Sequence, residues 1–232
     1  MRLAFAIIAI AGCESPTQLS SPDAAPAAWT LAAIGEAEVE RGEPGVTDFV
    51  MRLDAPTQPG DLLVLGVHLD TMSSLTPPFG FSEIATARAV NAANDDMLEL
   101  WYAPSALPGV TTLSLAATGP MYAAVVWDFN VSGHATLDVG EATSAEVPTT
   151  MLASPTIGMA DPGEIIVAAA TSTSWVNGNG PGLLGFGEDS LAYRDGWSHL
   201  VGSFPPGSYY ETWTTPAAGT YCASAVAFAV SN

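Results

Sequence analysis

From Trp29 onward, apolar runs of five to nine residues recur between clusters of Gly, Pro, Asn and Asp, and no long segment keeps a 3.6-residue period. This pattern predicts strands over Thr30–Glu38, Val46–Asp54, Asp61–Leu69, Leu98–Tyr102, Thr111–Ala117, Tyr122–Phe129, Glu164–Thr171, Tyr209–Thr214 and Tyr221–Val230. Turn signals separate them at Pro59-Gly60, Thr76-Pro77-Pro78, Pro108-Gly109, Pro162-Gly163 and Asn177-Gly178-Asn179-Gly180. Glu83–Ala93 is rich in Ala, yet it also alternates (Ile84, Thr86, Arg88, Val90), so it reads as a strand or an irregular crossover. The expected architecture is all-β: one jelly-roll-like antiparallel sandwich over residues 29–232.

A weak internal repeat underlies the strands. Pro59-Gly60-Asp61-Leu62-Leu63-Val64 matches Pro162-Gly163-Glu164-Ile165-Ile166-Val167, and Gly119-Pro120-Met121-Tyr122-Ala123-Ala124-Val125 resembles Gly219-Thr220-Tyr221-Cys222-Ala223-Ser224-Ala225. Each half opens with a proline-glycine-acid turn into an apolar strand and closes with a Tyr and a small-residue strand. Two weakly similar halves are therefore expected within the sandwich.

The N-terminus has its own pattern. Met1-Arg2 precedes an uninterrupted apolar run from Leu3 to Ile10, too short to span a bilayer as a helix. The ending Ile10-Ala11-Gly12-Cys13 resembles the lipobox of bacterial lipoproteins. That resemblance implies cleavage before Cys13, diacylglycerol on its sulfur and an acylated new terminus. An ordinary secretory signal cut after Ala11 is the alternative, because Ala9-Ile10-Ala11 also fits an A-x-A site. Residues 14–28, with three Pro and three Ser, read as a tether reaching on the order of 50 Å when extended. The expected location is the bacterial envelope, at the outer membrane or cell surface.

The segment from Pro59 through "TPPFGFSEI", "LELWYAPSALPG" and "GPMYAAVVWDFNV" to the second Gly-acid-apolar strand resembles poorly characterised β-sandwich domains of exported bacterial and phage-associated proteins. In those domains a "GDLLV" strand precedes a "TPP-aromatic" turn and a "LWYA"-like strand. The resemblance covers about Val46 to Val230 and implies a sandwich, with no catalytic residues to carry over.

Charge narrows the function. Only 12% of residues are charged, with 24 acids, five Arg and no Lys, for a formal charge of −19. Without Arg2 the mature chain stands at −20. Such a field repels nucleic acid and anionic headgroups, which need clustered Lys or Arg. Nucleic acid is excluded as a partner, and membrane contact would come through the lipid. The missing Lys also excludes a P-loop or a Schiff-base enzyme. With Cys13 acylated, Cys222 is the remaining thiol, and its small apolar neighbours mark it as buried and inert.

Candidate chemistry is sparse. His68, His134 and His199 lie far apart, and no zinc spacing or G-x-S-x-G elbow occurs. The adjacent acids Asp95-Asp96 and Glu188-Asp189 sit in turn-like contexts as candidate Ca²⁺ ligands. No other cofactor is indicated. Neighbouring strand residues point to opposite faces, so adjacency alone makes no glycosidase acid pair. The richest segment is Trp175–Trp213, with Trp175, Arg194, Trp197, Tyr209, Tyr210 and Trp213. Aromatics, Arg and carboxylates there are the candidates for stacking and hydrogen bonding to a glycan, or for a protein-binding hot spot; ordinary core packing is the alternative. Arg194 either pairs with Asp195 or Glu188, stacks on Trp197 or binds a ligand carboxylate. The expectation is a non-enzymatic, lipid-anchored envelope protein that binds a glycan or a protein. The rivals are a polysaccharide hydrolase using the carboxylates of Glu188–Glu211 and a purely structural subunit.

Overall fold

The computed structural model describes residues 29–39, 43–159, 164–180, 187–190, 194–201 and 204–231, with the backbone alone at 179 and 187–190. Cys13, the apolar leader, the tether and Pro162-Gly163 lie outside the described residues. The first half runs β1 (Trp29–Glu38), β2 (Val46–Arg52), β3 (Leu62–Asp70), β4 (Leu75–Thr76), β5 (Ser82–Glu83), a 3₁₀ turn (Ala85–Ala87), β6 (Ala89–Asn91), β7 (Asp96–Ala103) and β8 (Thr112–Val131). The second runs β9 (His134–Ala153), β10 (Ile157–Met159), β11 (Ile165–Ser172), β12 (Gly178–Asn179), β13 (Gly187–Ser190), β14 (Asp195–Leu200), β15 (Gly207–Tyr209) and β16 (Thr212–Ser231).

Every pairing is antiparallel, and the two halves repeat one strand order. The first sheet is β1-β8-β3-β7-β5 and the second β9-β16-β11-β14-β13. Even the short strands correspond: β4 pairs with the start of β8, and β12 with the start of β16. The opening strings of the repeat start matching strands, with Leu62 opposite Phe129 and Ile165 opposite Phe228. The closing strings align one residue away from their sequence match, because His68 faces Ala123 while Thr171 faces Cys222. Past a bulge between His68 and Leu69 the offset is removed, since Leu69 faces Met121 and Ser172 faces Tyr221. What the pairing establishes of the expected jelly-roll-like fold is the antiparallel sandwich and its two similar halves.

Three apolar layers follow from strands buried on both faces. In β3 one face (Leu62, Val64) looks into the space between the sheets and the other (Leu63, Leu65, Val67, Leu69) looks outward. In β11 Ile165, Val167 and Ala169 look inward while Ile166, Ala168 and Ala170 look outward. Continuous apolar runs of this kind are what a doubly covered central strand requires. Phe49 and Met51 of β2 with Leu115 of β8 cover the outer face of the first sheet. Leu152, Ile157, Met159 and Trp213 cover that of the second. In the middle layer Trp127 and Trp197 meet edge to face at 6.1 Å, across the sheets.

Glu83–Ala93 is an irregular crossover, as its mixed pattern predicts. Its 3₁₀ turn rests on the second sheet, where Ser224 Oγ donates to Ala87 O at 2.7 Å. The predicted strands at Thr111–Ala117 and Tyr122–Phe129 are one 20-residue strand, and β16 is equally long. Glycine and proline inside β8 bend it from the cover into the sheet without ending it. β9 was not predicted: its Thr, Glu, Ala and Ser leave both faces largely polar, so the alternation that marks a half-buried strand is missing.

Candidate functional site

On the outer side of the first sheet the chain encloses a pocket of about 330 Å³, floored by Leu63 and Ala106 and walled by Phe79, Phe81, Leu107 and Leu113. Ser105 and Ser114 are the polar residues of its lining. Three segments build it: the turn after β4, the connection from β7 to β8, and the first residues of β8. The two turns need left-handed glycines, at Gly80 (φ 87°) and Gly109 (φ 80°). Thr57 fixes the β7–β8 connection from beneath. Its Oγ1 donates to Leu107 O at 2.6 Å and accepts from Val110 N at 3.0 Å, while its backbone bonds Val110 O and Gly109 N. Ala106 N donates to Asp61 O at 2.8 Å. At the rim, Phe79 is 88% exposed and Leu107 59%. The pocket is thus preformed and apolar, with large hydrophobic groups held in water at its mouth.

A second cluster lies between the sheets. His68, fully buried at the end of β3, donates from Nδ1 to Asp195 Oδ2 and from Nε2 to Asp96 Oδ1, each at 3.1 Å. Arg194 Nη2 donates to the same Asp96 oxygen at 2.8 Å. Thr171 Oγ1 stands 3.4 Å from both ring nitrogens, and the Tyr122 ring lies 4.9 Å from the imidazole. Burial opposes protonation of His68, but the charges and hydrogen bonds of Asp195 and Asp96 outweigh it and lift its pKa to about 9. At neutral pH two cations therefore face two carboxylates. Both imidazole nitrogens are committed and the ring is sealed from solvent, so His68 ties the halves together and is not placed to act as a general base.

The residues expected to bind ligand do not gather on one face. Trp197 belongs to the middle layer and Trp213 to the outer layer of the second sheet, and both are fully buried. This corrects their expected role as stacking platforms: alternating strand positions send them to opposite sides of the sheet. Trp175 is half-buried after β11. Tyr209 donates to Pro205 O at 2.7 Å and packs on Phe204, while Tyr210 is exposed. Arg194 pairs structurally with Asp96, and its guanidinium stands over Tyr122.

Asp95 and Asp96 are likewise separated. Asp96 is held in the ionic cluster, which corrects its candidacy as a Ca²⁺ ligand, whereas Asp95 is exposed in a left-handed turn (φ 55°). Glu188 and Asp189 lie in β13, and their side chains are outside what is described. Among the described residues no group of three or more His, Cys, Asp or Glu side chains is arranged to hold a metal ion. Cys222 is buried and unpaired with any other cysteine.

Sequence reasoning passed over the pocket. Its signal was two apolar residues in turn contexts, Phe79 in Pro77-Pro78-Phe79-Gly80-Phe81 and Leu107 in Ala106-Leu107-Pro108-Gly109. Comparison with protein families, with curated proteins and with solved structures finds nothing that matches this chain, so the reading of the site rests on its own geometry.

Proposed function

We propose that this chain is a non-enzymatic binding module that takes an apolar side chain of a protein ligand into the pocket beside Phe79 and Leu107. The observation that carries the reading is the pocket's combination of a fixed, apolar interior with exposed Phe79 and Leu107 at its mouth. Preformed apolar clefts with few polar groups are the usual form of ligand sites, and desolvated aromatic and aliphatic anchors dominate protein interfaces. A protein is favoured over a glycan because Trp197 and Trp213, two of the aromatics expected to stack on sugar, are buried in separate cores, and the pocket lining carries no charged group. The Ile10-Ala11-Gly12-Cys13 string supports placing the module at a bacterial envelope on a lipid anchor.

The test uses a fragment beginning at Trp29 and a neutral apolar dye, Nile red. Saturable one-to-one binding is expected, lost in Leu107→Asp and in Ser114→Trp, which fills the mouth from an exposed strand position. Peptides selected on the fragment from a random library should displace the dye and carry an aromatic or aliphatic anchor. Dye binding that is absent, or unchanged in both variants, refutes the reading. For the anchor, Cys13→Ala should abolish fatty-acid labelling and membrane association.

A further inference from the structure

We propose that Asp61 and Asp128 form a cation site for a hard, oxygen-seeking ion of the Ca²⁺ class. Asp128 lies in β8 directly opposite Leu63 of β3 and Ala33 of β1. Strand alternation puts its side chain on the outer face with Ala124 and Val126, and it is completely buried. Asp61 immediately precedes β3, two residues from Leu63, and is buried as well.

The two carboxylates differ in their partners. Asp61 Oδ2 accepts from Gln58 N, and Oδ1 accepts from Asn130 Nδ2 at 3.3 Å. Neither oxygen of Asp128 accepts any hydrogen bond among the described residues. Other buried carboxylates of the first sheet are provided for: Asp96 faces His68 and Arg194, and Glu99 faces Trp101 Nε1 and Arg88. A carboxylate buried without a donor, beside a second carboxylate, is strongly destabilising unless something positive joins it.

Either a proton or a metal ion supplies that charge. Asn130, which donates from Nδ2 to Asp61, is exposed, and turning its amide over would offer Oδ1 as a further hard donor. Carboxylate and amide oxygens without nitrogen or sulfur select Ca²⁺ over transition metals, and Ca²⁺ completes its shell with carbonyls and water. The site borders the apolar pocket, since Asp61 O accepts from Ala106 N and Asp128 lies opposite Leu63.

Calorimetric titration of the protein with CaCl₂ at pH 8 tests it, alongside thermal unfolding in Ca²⁺ and in chelator. One saturable site with a Kd on the order of 10⁻⁴–10⁻³ M is expected, as in extracellular modules, together with a higher Tm in Ca²⁺. Asp128→Asn keeps the shape, removes the charge and should abolish both effects, while Asp95→Asn should leave them intact. Binding that survives Asp128→Asn overturns the proposal by placing the ion elsewhere. No heat and no Tm change in the unsubstituted protein also overturns it, and leaves the pair sharing a proton.

Discussion

His68 Nδ1 and Asp195 Oδ2, 127 residues apart in the chain, meet at 3.1 Å in the sealed space between the two sheets. With Asp96 on the other ring nitrogen, the imidazolium is held by one carboxylate from each half. Its folded pKa of about 9 lies above the usual 6.5. The stability it contributes is therefore complete below pH 6.5 and is lost as pH rises through 9. The difference corresponds to about 3 kcal/mol. Urea unfolding between pH 6 and 10 should show this decline, and His68→Gln should remove it; a flat profile in the unsubstituted protein would deny His68 its charge.

Gly66 of β3 makes room for the Trp197 ring. A Cβ at residue 66 would come within 2.5 Å of Trp197 Cζ3. Gly66→Ala should cost about 1–3 kcal/mol by overpacking, and Trp197→Ala about 3–5 kcal/mol by opening a cavity. The two should be strongly non-additive, because shrinking the indole relieves the clash. Denaturant midpoints of the two single variants and the double variant measure that coupling; strict additivity would contradict the contact.

Thr57 should govern the pocket without lining it. Thr57→Val removes both side-chain hydrogen bonds to the Leu107–Val110 backbone. A loss of about 1–3 kcal/mol in stability is expected from the stranded backbone groups. Apolar dye should also bind more weakly at temperatures where the variant is still folded. Unaltered dye affinity would mean the pocket mouth holds its shape without this clamp.

Burial, with the nearby charges of Asp96 and Asp195, pushes the Cys222 thiol far above its ordinary range. Iodoacetamide should leave it unmodified in the native protein at pH 8 and label it once the chain is unfolded, as mass spectrometry would report. Labelling at the rate of a free thiol under native conditions would contradict its placement in the middle layer.

Most sheet strands, though not β14 with its Asp195, Gly196 and Ser198, were legible because burial leaves its period in them: Leu62–Asp70 is apolar on both faces and Val46–Arg52 alternates. β9 was not, since an edge strand with polar residues on either side carries no such period. The strand order repeated in both halves was foreshadowed by the two Pro-Gly-acid openings. The ionic cluster was invisible for another reason: His68, Asp96 and Asp195 are brought together by register between strands far apart in sequence. Trp197 and Trp213 shared one sequence segment but not one face, because proximity along a chain says nothing about which side of a sheet a residue takes.

The repeated strand order has a consequence for symmetry. His68 and Thr171 hold the same place in β3 and β11, and they touch. Equivalent positions meet only close to a two-fold axis, so the molecule is built like a dimer of its own halves. In a true homodimer that place would hold two histidines, whose like charges repel, or two threonines, which would leave the carboxylates with no imidazolium between them. Joining both copies in one polypeptide removes the constraint of identity, and the axis is occupied by an unlike pair that two separate, identical subunits could never present.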